Sequence, residues 1–98
     1  MLSSATLLLS RPAGTHTPVP RERAQRIAQT LKALGFRVLS IGRFGISVEA
    51  EEVVYEAVLD VPMTNHAQAV FPVEHPHPLL EGELLRVHRP VPLGYDNR

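Results

Sequence analysis

Leu34-Gly35-Phe36-Arg37-Val38-Leu39-Ser40-Ile41-Gly42-Arg43-Phe44-Gly45-Ile46-Ser47-Val48-Glu49-Ala50 reads as a helix stop followed by two strands and a tight turn. Gly35 supplies the stop, because glycine enters the left-handed conformation without a Cβ clash. Phe36–Ile41 reads as extended, with Phe36 and Val38 on one face and Leu39 and Ile41 on the other. Gly42 and Arg43 turn the chain. Phe44, Ile46 and Val48 then alternate with Gly45, Ser47 and Glu49.

Helical spacing flanks this hairpin on both sides. Ala24, Ile27, Ala28, Leu31 and Leu34 repeat along one stripe, after a proline, Pro20, of the kind tolerated in a first helical turn. Beyond the hairpin, residues 51–61 form a second predicted helix, with Val54, Val58, Val61 and Ala57 inward and Glu52, Glu56 and Asp60 outward. Residues 6–10 and 83–89 read as strands, the latter with Leu85 and Val87 inward. The order β-α-β-β-α-β predicts one α+β domain over 1–98. It is the ferredoxin-like split βαβ arrangement, a four-stranded antiparallel sheet with two helices on one face. Residues 62–80 make a long connection rich in proline and histidine, in which 67–73 can add an edge strand limited to an edge by Pro72. Residues 90–98 are expected to be an extended tail held open by Pro90 and Pro92.

The 98 residues are 44% hydrophobic, enough for one small core, and contain no cysteine. The lack of cysteine excludes a disulfide scaffold, a thiol nucleophile and thiolate metal ligation. Apolar runs such as Leu7–Leu9 fall far short of the ~20 residues that cross a bilayer. The first residues lack the basic and apolar regions of a signal peptide, so a cytoplasmic location is the default expectation. The formal charge of zero conceals a division. Residues 1–43 carry +6, residues 44–85 carry −8 with no basic side chain, and residues 86–98 carry +2. In the expected fold the basic first helix lies beside the acidic second, so Arg23 or Arg26 is expected to pair with Glu52 or Glu56.

Few residues suit catalysis. The serines show no G-x-S-x-G elbow, and no acid stands near a histidine in a recognisable order. Gly42-Arg43-Phe44-Gly45 is too short to cradle a phosphate. The metal candidates are His75 and His77, which flank Pro76 beside Glu74. The prolines hold that segment extended and no third ligand is assignable, so neither a metal nor a cofactor is expected. His66 and His88 have no partner that sequence alone assigns. The aromatic strand motif that stacks RNA bases is missing, so no nucleic-acid partner is expected. No membrane partner is expected either. The chain reads as a non-enzyme.

Leu34–Val38, then Gly45-Ile46-Ser47-Val48-Glu49-Ala50, then Tyr55–Val61 and Pro78–Val87 resemble the propeptide domains of subtilisin-like and sedolisin-like serine proteases. Those domains carry a G-F-x-V strand, an I-S-V-x-G strand and a helix ending in F-E-x-x-F-G-V. Ala50 stands where the glycine is usual, and Leu59 and Asp60 where the phenylalanine-glycine pair is usual. The resemblance covers roughly 21–61 and 78–92 and implies a ferredoxin-like fold whose open sheet face packs on the protease, with the C-terminal tail along the substrate cleft. With no protease domain after Arg98, it implies a protease inhibitor or a folding chaperone acting in trans. The partner-binding residues expected on this basis are Leu8, Leu39 and Ile41 on the sheet, with Arg89, Pro90, Val91, Pro92, Leu93, Gly94 and Tyr95 in the tail. Strands apolar on both faces agree with a partner surface, because two helices cover one face only. The alternative covering is the 62–80 connection. The alternative function is a small structural or assembly subunit that forms homo-oligomers or part of a larger particle through the same surface.

Overall fold

Each long element ends where its sequence can no longer continue it. In the computed structural model, which describes residues 2–11 and 17–90, the first helix α1 spans Arg21–Ala33. Its close is a paired cap: Phe36 N–H donates to the Leu31 carbonyl at 3.0 Å and Gly35 N–H to that of Lys32 at 3.2 Å. Gly35 makes this turn at φ 110°, and Leu31 and Phe36 are both buried at its base. The second helix α2, Glu52–Leu59, ends two residues earlier than its spacing suggests. Asp60 takes the left-handed conformation at φ 57° and stops it.

The strands are β1 (Leu2–Leu9), β2 (Arg37–Ile41), β3 (Gly45–Glu51), β4 (Val70–Pro72) and β5 (Leu84–His88). They form one antiparallel sheet in the order β2-β3-β1-β5-β4. The protein is therefore α+β with two helices and five strands, where four strands were expected. The fifth is β4, drawn from the long connection and confined to the edge by Pro72, which has no N–H for a further neighbour. β1 also begins at Leu2 rather than Thr6. Ser3 and Ser4 are weak strand formers, and pairing with Ala50 and Glu49 of β3 holds them in the sheet.

Register decides what each face carries. Leu7 lies opposite Ile46 on one side and Val87 on the other, and Val87 lies opposite Phe71. All four are fully buried. They join Ala5, Leu9, Val48 and Ala50 with the inner stripes of both helices in a single core. Both helices thus cover one face of the sheet. Val87 faces inward as expected, but a register shift between Leu8 and Leu9 puts Leu84 inward in place of Leu85, which is 47% exposed. The 62–80 connection does not cover the opposite face. It buries Met63, Phe71 and Leu80 in the same core and extends the sheet.

The charged groups pair differently from the helix-to-helix expectation. Arg23 binds Glu83 and Ser10, Glu56 accepts from Thr64 Oγ1, and Glu52 lies inside α2 rather than on its outer stripe. Both helices contribute their apolar stripes to the common core, and Arg23 pairs with Glu83 rather than with a glutamate of α2.

Candidate functional site

The face away from the helices is built by alternate residues of β1 and β3. Ser4 stands opposite Glu49, Thr6 opposite Ser47, and Leu8 opposite Gly45. β5 adds His88 beside Thr6 and Arg86 beside Leu8. Thr6 Oγ1 lies 3.5 Å from Ser47 Oγ, and Arg37 Nη1 lies 3.5 Å from Glu49 Oε1. Gly45 is essential to this surface. A Cβ there would meet the Leu7 carbonyl oxygen at 2.7 Å and Leu8 Cδ2 at 3.3 Å, so the Leu8 side chain occupies the space that glycine leaves. His88 Nε2 is buried without a hydrogen-bond partner among the described residues. The result is a broad face of short hydroxyl side chains with one leucine near its centre.

Of the sheet residues expected to bind a partner, Leu8 lies on this face opposite Gly45. Leu39 sits at the register shift between Val38 and Ser40 in β2 and is 48% exposed. Ile41 is opposite the inward Ile46 and borders α1 beside Ala24 and Ala28. The three do not form one patch. The apolar open face inferred from the strands is in fact mostly polar, because Phe36 and Val38 turn inward and the register shift between Val38 and Ser40 carries Ile41 inward as well.

Arg89 is held inside the molecule. Its Nη1 donates to the Asn65 and Gln68 carbonyls at 3.2 and 3.4 Å, and its Nη2 donates to the Met63 carbonyl. The guanidinium also lies 5.4 Å from the Phe71 ring centre. It fastens the loop before β4 to the end of β5. Pro90 is exposed. Val91, Pro92, Leu93, Gly94 and Tyr95 lie outside the described residues.

His77 caps the 3₁₀ turn Pro78–Leu80: its Nδ1 accepts from Leu79 N–H at 3.1 Å, and its own N–H donates to the Val58 carbonyl at 2.6 Å. His75 is exposed and has no such bond. Among the described residues no group of three or more histidine, aspartate or glutamate side chains is placed to hold a metal ion. No helix among them is long and apolar enough to cross a membrane.

One polar cluster was not legible in the sequence. Glu52 is 6% exposed, accepts from Ser3 Oγ at 2.8 Å, and lies 2.9 Å from His66 Nε2 through the same oxygen. The Ser3 hydroxyl holds the Glu52 carboxyl below the usual carboxylate range against the opposing effect of burial, with His66 adding to the Ser3 effect. Next to it the Tyr55 hydroxyl donates to the Ser3 carbonyl at 2.7 Å. Tyr55 meets Phe36 edge-on with ring centres 5.1 Å apart, and burial pushes its phenol well above the ordinary value. Serine, acid and histidine occur together, but the carboxylate stands between the other two. The histidine therefore cannot take the serine proton, and a depressed carboxyl is a poor base. The cluster ties the start of β1 to α2 and to the connection.

Comparison with models of protein families, with curated proteins and with solved structures finds no match for this chain.

Proposed function

We propose that the chain is a non-enzymatic protein-binding module of ferredoxin-like topology that inhibits, or helps to fold, a subtilisin-like serine protease. Two things support the topology: the β2-β3-β1-β5 order with both helices on one face, and β4 read as an appended edge strand. The observation that carries the binding reading is the sheet face that neither helix covers. Ser4, Thr6 and Ser47 are short, and Leu8 lies flat over Gly45, so another protein's backbone can approach closely across β1 and β3. Polar side chains of this kind suit a partner that also exists free, since such interfaces are no more apolar than ordinary surface.

The resemblance of Leu34–Val38 and Gly45–Ala50 to protease propeptides names the class of partner. Arg89, being committed to carbonyls within the chain, acts as the anchor from which a tail departs rather than as a contact itself.

The experiment is inhibition of a purified subtilisin-like protease by the purified chain, with Ser47→Arg as the comparison. Slow-onset inhibition that Ser47→Arg weakens more than tenfold, with the circular dichroism spectrum unchanged, supports the reading. No inhibition, or inhibition insensitive to Ser47→Arg, overturns it. A ring or polymer in sedimentation that is inert toward proteases favours the structural subunit instead.

A further inference from the structure

The sheet has two edges, and they differ. β4 is three residues long and ends in Pro72, so it offers little to a neighbouring strand. β2 has five residues and no proline, and none of the described residues pairs with its outer side. Leu39 and Ile41 on it are 48% and 38% exposed. Two cavities, of about 250 and 380 Å3, flank Ile41 and together make a groove between α1 and β2.

The charges along this groove have one sign. Arg21 and Arg43 line its first part and Lys32 its second, with no acidic residue lining either among the described residues. Among the described residues no carboxylate pairs with any of these three, whereas Arg23 pairs with Glu83 and Arg37 with Glu49. Glu22, the acid of α1, lines neither cavity.

We propose that β2 and the α1 groove bind an extended acidic segment of a partner protein by strand addition. Its backbone pairs with the free edge of β2, its apolar side chains lie beside Leu39 on one face, and on the other its carboxylates meet Arg21, Lys32 and Arg43 around Ile41. This surface is separate from the open face and does not depend on the protease reading. A second copy of β2 is the wrong occupant, because antiparallel self-pairing brings two sets of Arg37 and Arg43 together. A nucleic acid supplies charge but neither the backbone pairing nor the apolar contacts.

The test is fluorescence anisotropy of the whole chain with a short labelled peptide alternating valine and glutamate. Binding is expected to weaken with salt. It should fall roughly tenfold in the double variant R21E/R43E, about 1.4 kcal/mol. It should also be lost when alternate peptide nitrogens are methylated. Should R21E/R43E fail to fold, K32E at the exposed end of α1 carries the same expectation. The proposal is overturned if the peptide does not bind at millimolar concentration, if the methylated or a valine–lysine peptide binds equally, or if an oligothymidylate of matched charge binds as tightly. A dimer in sedimentation that R21E/R43E dissociates also overturns it, in favour of a second copy.

Discussion

Arg23 donates to one oxygen of Glu83 twice, from Nε at 3.0 Å and from Nη2 at 2.8 Å. Its Nη1 reaches the Ser10 carbonyl at 2.7 Å, so one helix residue joins the end of β1 to the start of β5. Both side chains are less than a third exposed, at 23% and 29%. Arg23→Ala is expected to lower stability by about 1–3 kcal/mol, the range for charge-assisted hydrogen bonds away from bulk water. Arg23→Lys should recover less than half, because a single ammonium cannot span the same acceptors. Urea unfolding decides the matter: a midpoint for Arg23→Lys equal to that of the unsubstituted chain would show that the fork geometry contributes nothing.

Glu52 makes the fold sensitive to acid. A carboxyl whose pKa falls on folding stabilises the native state above its unfolded value, near ~4.3. That contribution fades as the pH drops through the lower folded value. Because the Ser3 hydroxyl is the largest cause of the shift, Ser3→Ala and Glu52→Gln should act alike. Each is expected to lower the melting temperature more at about pH 7 than at about pH 3. A deficit that is constant with pH would mean that packing, and not the charge, is what Glu52 supplies.

Both findings concern contacts that one-dimensional reading cannot reach. Periodicity located the hairpin and both helices, since burial on one side repeats every second or every 3.6 residues. The Gly35 stop was legible for the same reason, as only a left-handed residue closes that cap. Glu52 was read onto the outer stripe because charge normally faces water. Its burial depends on Ser3, a residue 49 positions away. Ile41 and Leu85 stand on faces that alternation does not predict, because a bulge breaks it without leaving a mark in the local sequence. The polar open face follows from those same shifts.

Arg89 distinguishes a binding residue from a structural one. Its guanidinium is occupied by the carbonyls of Met63, Asn65 and Gln68. Arg89→Ala removes the guanidinium from the part-buried Met63 and Gln68 carbonyls, while the Asn65 carbonyl keeps the Gln68 N–H, and is expected to cost about 2–4 kcal/mol. Limited proteolysis should then cut within 64–69 well before the rest of the domain opens. Unchanged thermal stability together with lost partner binding would return Arg89 to the contact surface.

Gly45 gives the most local test of the open face. Its φ is not in the left-handed region, so a substitution meets no backbone penalty of that kind. The obstacle is space, because an added Cβ lies 2.7 Å from the Leu7 carbonyl oxygen, a backbone atom fixed by strands on both sides. Gly45→Ala must part β1 from β3 or displace Leu8, at about 1–3 kcal/mol. Shortening Leu8 removes the Cδ2 contact at 3.3 Å but not the clash with the carbonyl. Leu8→Ala is therefore expected to restore only a minor part of the loss in the double variant. Thermal melts of the two single variants and the double variant measure the coupling. Full restoration would show that the Leu8 side chain, and not the β1 backbone, sets how closely the two strands approach.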